Sequence, residues 1–232
     1  MKHLISLLII FISLNATAQQ IDYSVLTSIL QKHVSPNGQV NYKAIKTNKA
    51  SLDTYLEQYS KISPKNSWSK EQVLAYWINA YNAFTIELII DNYPIKSIKD
   101  LKKPWDKKFI PLANKKISLN YIEHEILRTL NEPRIHFAIV CASASCPKLL
   151  NEAYTPEKLN KQLTQATKDF LSDTSRNKIS ESNIEISKIF KWFAKDFKKN
   201  GSLIDFINTY SDVRVLSNAN IDYLDYNWSL NE

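Results

Sequence analysis

The chain has 232 residues, of which 44% are hydrophobic and 23% charged, and its formal net charge is +7 at pH 7. It contains only two glycines, Gly38 and Gly201, whereas the phosphate-binding loops of Walker, dinucleotide-binding and kinase proteins need clustered glycines. Functions that depend on such loops are therefore excluded.

The positive charge comes almost entirely from lysines, which are interspersed with acidic residues along the chain. The few arginines are widely spaced: Arg128, Arg134, Arg176 and Arg214. Because proteins that recognise nucleic acids rely on arginine for bidentate and stacked contacts, we expect no nucleic-acid partner.

Residues 1–18 have the three parts of a secretory signal peptide. Lys2 supplies the positive charge, residues 4–14 form an apolar run, and Ala16 and Ala18 fit the small-x-small cleavage pattern. The run is too short for a membrane span, which needs about 20 apolar residues. We therefore expect cleavage near Ala18, export to the periplasm or outside the cell, and no membrane span in the mature chain. A buried N-terminal helix is the alternative interpretation.

The length of the remaining chain suits one domain with an N-terminal extension. Residues 21–33 and 50–60 have the apolar spacing of amphipathic helices on either side of a turn near Gly38. This pattern predicts that residues 19–65 form a helical extension packed on a core domain of residues 66–232.

A long helix is predicted to begin at Ser69, which forms a capping box with Gln72, and to end near Asn92, before Pro94. Residues 73–90 are apolar nearly all round, so this helix is expected to lie at the centre of the fold.

The rest of the chain predicts shorter helices and strands. In chain order these are a hairpin at 108–119, a helix at 120–130 capped by Asn120, a buried strand at 134–141, a helix at 155–171, a hairpin at 177–187, helices at 188–199 and 202–209, and strands at 213–216 and 221–226. The fold class is therefore α+β: a helix-rich single domain with a central buried helix and a small, mainly antiparallel sheet.

The only two cysteines, Cys141 and Cys146, lie five residues apart. Two cysteines in an exported chain favour a disulfide, but bonded Cα atoms lie within about 7 Å, so residues 142–145 would have to turn back on themselves. Buried thiols and a functional thiol are the two other interpretations, and the sequence leaves all three open.

A functional thiol needs a partner that makes the thiolate available. In a regular strand at 134–141, His136 and Cys141 would point to opposite faces, so His136 is expected to be a hydrogen-bonded core residue. His124 lies opposite the apolar stripe of its helix and is the better candidate base, although a surface histidine has the same spacing.

Glu123 falls within that apolar stripe. It is either the acid of a capping box or a carboxyl whose pKa burial raises. Asn79 and Asn82 lie on one face of the buried helix, where their amides either pin a neighbouring loop or line a pocket floor. No spacing of His, Cys or acidic residues supports a metal site, and we predict no cofactor.

Five stretches carry a resemblance to a known family: residues 77–83, 122–128, 134–147, 189–197 and 226–231. They closely resemble the motifs of the domain-of-unknown-function 547 family, in the same order, over about residues 70–231. Asn227 departs from the family, which more often has Asp there. The resemblance implies a shared fold and site in an exported bacterial protein, but no reaction. It places in family motifs Asn79, Asn82, Glu123, His124, Arg128, Arg134, His136, Cys141 and Cys146.

The leading hypothesis is an exported, thiol-dependent hydrolase or acyl-transfer enzyme that acts on an amide or ester of the cell envelope. Cys141 would be the nucleophile and His124 its base, and Glu123, Asn79 or Asn82 would orient the imidazole. The residues predicted to bind substrate are Asn79, Asn82, Arg128, Arg134 and His136.

The alternative is a non-catalytic binding or structural module. In that case Cys141 and Cys146 form a disulfide, and Trp105, Trp192 and Trp228 line a surface for a cell-envelope or extracellular ligand.

Overall fold

A computed structural model describes residues 21–232, so the predicted signal peptide lies outside the described residues. The chain begins with helices α1 (Tyr23–His33), α2 (Tyr42–Thr47) and α3 (Ala50–Lys61). The helices predicted at 21–33 and 50–60 are confirmed. Helix α2, which has six residues, was not predicted. Asn41 caps its first turn by accepting a hydrogen bond from the backbone N–H of Ala44.

Helix α4 (Lys70–Asn92) begins at the predicted capping box, in which Ser69 and Gln72 each bond the other's backbone. Its side chains are buried on every face from Leu74 to Ile86, which confirms the central buried helix. By length and composition α4 could cross a membrane, but 89% of its 18-residue apolar stretch is buried inside the fold.

The hairpin predicted at 108–119 is confirmed: β1 (Ile110–Leu112) pairs antiparallel with β2 (Lys115–Ile117). The helix expected at 120–130 is instead a π-helix (Tyr121–Ile126) followed by a 3-10 turn (Leu127–Leu130). The predicted cap at its start is wrong.

That cap is wrong because Asn120 donates its side-chain hydrogen bond to Asp106, while Ser118 accepts from the first backbone N–H of the π-helix, that of Tyr121. Glu123 therefore takes part in no capping box, and its side chain is buried.

The strand predicted at 134–141 is also wrong. Pro133 and the Glu132 carboxylate start a 3-10 helix (Pro133–Phe137), and no neighbouring strand pairs with the residues that follow. Instead, the side chain of Asn82 donates to Ala138 O at 2.9 Å and accepts from Val140 N at 2.9 Å. An asparagine amide thus replaces the strand partner that the apolar run predicted.

The C-terminal half continues with α5 (Leu159–Ser172), β3 (Lys178–Ile179), β4 (Asn183–Ile186), α6 (Ile189–Trp192), α7 (Ala194–Phe197), α8 (Leu203–Tyr210) and β5 (Asn220–Tyr223). Strand β4 pairs antiparallel with β3 and parallel with β5. The helix predicted at 188–199 is split at Phe193, and no strand forms at 213–216, because the Asn208 amide bonds both backbone atoms of Val215.

Two apolar cores result. One contains α1 to α4, the cysteine-bearing segment and the start of α5, and the other contains the rest of α5, β4 and α6 to α8. The 3-10 helix joins them, because Ile135 packs in the first core and Phe137 in the second. The helix-rich α+β class is confirmed.

Candidate functional site

A cavity of about 210 Å³ opens beside the junction of the two cores. It brings together Glu123, His124, His136, Cys141 and Cys146, which come from two of the sequence stretches singled out above. The cavity is the first place to look for chemistry, because titratable and nucleophilic groups converge there between apolar walls.

The segment from Cys141 to Cys146 is folded back on itself. Ala142 adopts a left-handed conformation with φ of 59°, and Cys146 N donates to Ser143 O at 3.0 Å. The reversal aims the backbone N–H of Cys141 at Cys146 Sγ, 3.1 Å away.

The C-terminal tail clamps this turn. Ala144 N donates to Ser229 O at 2.7 Å, and Asn227 N donates to Ser145 Oγ at 2.8 Å. From the other side, Arg176 donates to the backbone carbonyl of Ala144 at 2.7 Å. The turn is therefore held by residues far from it along the chain.

Four side-chain atoms form what we call the thiol–hydroxyl cluster: Cys141 Sγ, Ser143 Oγ, Cys146 Sγ and Tyr226 Oη. Ser143 Oγ and Tyr226 Oη each lie 3.2 Å from Cys146 Sγ, and Ser143 Oγ lies 3.3 Å from Cys141 Sγ. Both cysteines are free thiols, so the predicted Cys141–Cys146 disulfide is not formed. Hydrogen bonds occupy the sulfurs instead.

The cluster treats the two thiols differently. Burial works against ionisation of Cys146, but hydrogen bonds from the Cys141 thiol, Ser143 and Tyr226 lower its pKa to about 6. The hydrogen bond that Cys141 donates to Cys146, together with burial, raises the pKa of Cys141 well above its ordinary value. These contacts favour the negative charge on Cys146 over the predicted nucleophile Cys141.

Glu123 is only 7% exposed, in the wall of the cavity. Burial raises its pKa to about 7, although the hydrogen bond from Tyr81 Oη to Oε2, at 3.3 Å, opposes the shift. Tyr81 is the only hydrogen-bond partner of this carboxyl among residues 21–232. A carboxyl with this pKa can both donate and accept a proton near neutral pH.

The raised pKa of Glu123 predicts a pH-dependent stability. In the unfolded chain this carboxyl has its ordinary pKa of 4.5, so the protonated native carboxyl stabilises the fold fully below that pH and less as the pH rises to about 7. Wild type loses this stabilisation as the pH rises, whereas Glu123→Gln has no such group to ionise. The free energy of unfolding of the variant, compared with that of wild type, should therefore rise by about 3 kcal/mol from pH 4.5 to pH 8. Urea unfolding at both pH values measures this difference.

The exposed neighbour Glu125 provides the control. Glu125→Gln should show the wild-type pH dependence, and a Glu123→Gln variant that also keeps it would contradict the buried acid.

His124 lies exposed at the cavity rim. Its Nδ1 lies 2.8 Å from the Arg128 guanidinium, which can only donate, so Nδ1 accepts and the neutral ring carries its proton on Nε2. Partial burial and the Arg128 charge lower the pKa of His124, which keeps the ring neutral. This proton arrangement suits a hydrogen-bond donor better than the base proposed from the sequence.

Asp196 joins Arg128 to His136. Its carboxylate accepts two hydrogen bonds from Arg128, at 2.6 and 3.0 Å, and one from His136 Nε2 at 2.8 Å. Burial opposes ionisation, but these donors hold the pKa of Asp196 well below its usual range. Asp196 thereby fixes Arg128, and Arg128 fixes the tautomer of His124.

His136 is 3% exposed and stacks on Phe193, with ring centroids 3.9 Å apart. Burial lowers its pKa, although the hydrogen bond to Asp196 opposes the shift. Its Nδ1 has no hydrogen-bond partner in the described part of the chain. The prediction that His136 and Cys141 point to opposite faces depended on a regular strand at 134–141, and that strand does not form.

The comparisons with known proteins give a family and no activity. Residues 65–171 match the family model described as a protein of unknown function, DUF547. Residues 65–171 belong to the DUF547 family. No curated protein and no solved structure matches the chain. The DUF547 match ends in α5, so Asp196 and Tyr226 complete the site from beyond it.

The other predicted site residues of the DUF547 segment lie elsewhere. Asn79 pairs with both backbone atoms of Tyr154, at 2.7 and 2.9 Å, and thus pins a loop, as Asn82 does. Arg134 is held by Glu132 and by Thr164. None of these three predicted residues lines the cavity.

Sequence reasoning missed Ser143, Asp196, Tyr81 and Tyr226. Asp196 is the one acid in the aromatic stretch 189–197, and this exception to the pattern could have marked it. Within residues 21–232, no group of three His, Cys, Asp or Glu side chains is placed to hold a metal ion.

Proposed function

We propose that this protein is a thiol-dependent acyl-transfer enzyme or hydrolase that acts on an amide or ester, with Cys146 as nucleophile. The observation that carries the proposal is the convergence of three polar groups on Cys146 Sγ: the Cys141 N–H donates at 3.1 Å, the Tyr226 hydroxyl donates at 3.2 Å, and the Ser143 hydroxyl lies 3.2 Å away. Donors around a sulfur stabilise the thiolate, which is the nucleophilic form.

In the first step the Cys146 thiolate attacks the acyl carbonyl carbon. The new C–S bond forms as the bond to the leaving nitrogen or oxygen breaks, and Glu123 gives its proton to that leaving group. A carboxyl with a pKa of about 7 retains that proton at neutral pH until it is needed. The products are a thioester on Cys146 and an ionised Glu123.

In the second step Glu123 acts as the base. It takes a proton from water, or from an amine or alcohol acceptor, as that molecule attacks the thioester carbonyl. The C–S bond breaks with its electron pair going to Cys146, which restores the thiolate and the protonated Glu123. One residue thus serves as acid and then as base, and no proton is gained or lost by the enzyme over the cycle.

His124 would stabilise the negative oxygen that develops in each step. Its Nε2–H is available because Arg128 occupies Nδ1, and it lies at the rim of the same cavity. A donor held in place before the reaction stabilises such charge most effectively. The signal peptide predicted at residues 1–18 supports a substrate in the cell envelope.

Trapping of the acyl-enzyme tests the proposal. Purified protein mixed with p-nitrophenyl acetate should release a burst of nitrophenol and gain the mass of one acetyl group, which peptide mapping places on Cys146. Protein unfolded in urea is the control for the intrinsic reactivity of thiols. Acetylation at the unfolded rate, or on lysines alone, would overturn the proposal.

A further inference from the structure

The cavity beside the thiols has aromatic walls. Six of its lining residues are aromatic: Tyr81, Trp105, Trp192, Phe193, Tyr226 and Trp228. The Trp228 ring centroid lies 5.7 Å from that of Trp105 and 5.8 Å from that of Trp192. Trp192 is 46% exposed at the cavity edge, although a tryptophan of a monomeric protein is usually more buried.

The size of the cavity sets the size of its ligand. An apolar cavity of about 150 Å³ accommodates one benzene molecule, so a volume of about 210 Å³ accepts an aromatic ring with a short linker. Aromatic walls favour such a ring over a chain of equal size, because offset-stacked and edge-to-face pairs add to the free energy of burial.

A lysine lies beside the tryptophan wall of the cavity. Lys99 Nζ lies 4.8 Å from the centroid of the Trp228 ring. Four further exposed lysines flank Trp105 in the sequence: Lys102, Lys103, Lys107 and Lys108. The same stretch contains two acids, Asp100 and Asp106, so positive charge remains in excess. A negative group at the mouth is therefore favoured.

We infer that the cavity binds an amide or ester in which an aromatic acyl group occupies the tryptophan-lined wall and a carboxylate on the leaving group meets the lysines at the mouth. This substrate class deepens the proposed function, because Cys141, Cys146 and Tyr226 line the same cavity and the bond between ring and carboxylate would lie beside them. Recognition itself requires no thiol chemistry.

Three amides that differ in one feature at a time test the inference. Phenylacetylglycine has both the ring and the carboxylate, hexanoylglycine replaces the ring by a chain, and phenylacetylglycinamide removes the charge. Their affinities are measured by ligand-observed NMR titration on the Cys146→Ser variant, which cannot turn them over. Phenylacetylglycine should bind about tenfold more tightly than hexanoylglycine and about threefold more tightly than phenylacetylglycinamide.

Matched variants locate the binding. Trp192→Ala should weaken phenylacetylglycine about tenfold, and Trp192→Phe should restore most of the affinity because it keeps an aromatic face. Lys99→Gln should reduce the preference for the charged ligand, because the other lysines of this stretch remain. Leu216→Ala and Lys168→Gln change an exposed apolar and an exposed basic residue outside the cavity and should have no effect.

Equal binding of hexanoylglycine, equal binding of the uncharged amide, or full affinity in Trp192→Ala would overturn the inference. Because binding is measured without the nucleophile, a failed acyl-enzyme experiment leaves this result unaffected. Loss of the ring preference would likewise leave the chemistry of Cys146 standing.

Discussion

The Cys146→Ser variant should lose about 100-fold in its rate of alkylation by iodoacetamide at pH 6.5. With a pKa of about 6, most of wild-type Cys146 is thiolate at this pH. The thiol that remains in the variant, Cys141, makes only the longer contacts with Ser143 Oγ at 3.3 Å and Tyr226 Oη at 3.5 Å, so its thiolate is less stabilised. A thiol with an ordinary pKa near 8.5 is only about 1% ionised at pH 6.5. Intact-mass analysis over a pH series measures the rate and its apparent pKa.

The Cys141 variants separate this result from the hypothesis that the sequence favoured. Cys141→Ala removes one donor to Cys146 and should raise the apparent pKa of labelling by about one unit, whereas Cys141→Ser keeps a donor and should stay near wild type. If Cys146→Ser instead keeps rapid labelling and both Cys141 variants lose it, then Cys141 is the nucleophile. Thermal unfolding of each variant checks that the fold is retained.

Replacement of Asp196 should have the second large effect, because the Asp196 carboxylate is shared by a buried imidazole and a guanidinium. Asp196→Ala leaves His136 Nε2 and the Arg128 side chain without their acceptor. The side chains of Asp196 and Arg128 are 22% and 27% exposed, so solvent screening reduces the loss, and we expect about 2 kcal/mol of unfolding free energy.

The same substitution should lower the rate of acyl-enzyme formation by about 10- to 100-fold. Arg128 would no longer hold Nδ1 of His124 as an acceptor, and the imidazole would lose the tautomer that presents Nε2–H to the cavity. Asp196→Asn should fall between alanine and wild type, because an amide still accepts from His136 but repels Arg128. The burst with p-nitrophenyl acetate and urea unfolding are the two measurements.

The depressed pKa of Asp196 gives the stability effect a definite pH dependence. The contribution of the ionised Asp196 carboxylate to the free energy of unfolding is present above the ordinary pKa of an aspartate, near 4. It is lost as the pH falls toward the lower pKa of Asp196 in the folded protein. The difference between wild type and Asp196→Ala should therefore be full at pH 7 and shrink below pH 4. Glu57→Ala, which removes an exposed ion pair with Lys61, is the control and should change nothing measurable. A difference that grows in acid would contradict the assignment.

The elements that were predicted correctly depend on near neighbours in the sequence. The capping box of Ser69 with Gln72 and the apolar spacing of α4 both act within one or a few helical turns. Hydrogen bonds and periodicity at this range can be recognised in the sequence alone. The same information placed Glu123 in the interior, although its role in a capping box was wrong.

The two wrong strands arose where an asparagine side chain took over the backbone hydrogen bonds that a neighbouring strand would have made. Residues 134–141 and 213–216 have the composition of strands, but the amides of Asn82 and Asn208 bond their backbones. The assumed strand at 134–141 also placed His136 and Cys141 on opposite faces, whereas both line the cavity. His136 is nevertheless buried and hydrogen-bonded, as predicted. A sequence pattern does not reveal such a substitute partner, because the partner can lie anywhere in the chain.

The sequence by itself determined the helix-rich class, the central helix, and the fact that any site must be built from side chains, because the chain has two glycines. Only the tertiary structure decided which groups surround each sulfur and thereby favour the charge on Cys146. Tyr226 reaches Cys146 from 80 residues away, and Asp196 reaches Arg128 from 68. The physical reason is that the pKa values of buried groups are set by burial and by contacting donors, and folding brings those donors together from distant parts of the chain.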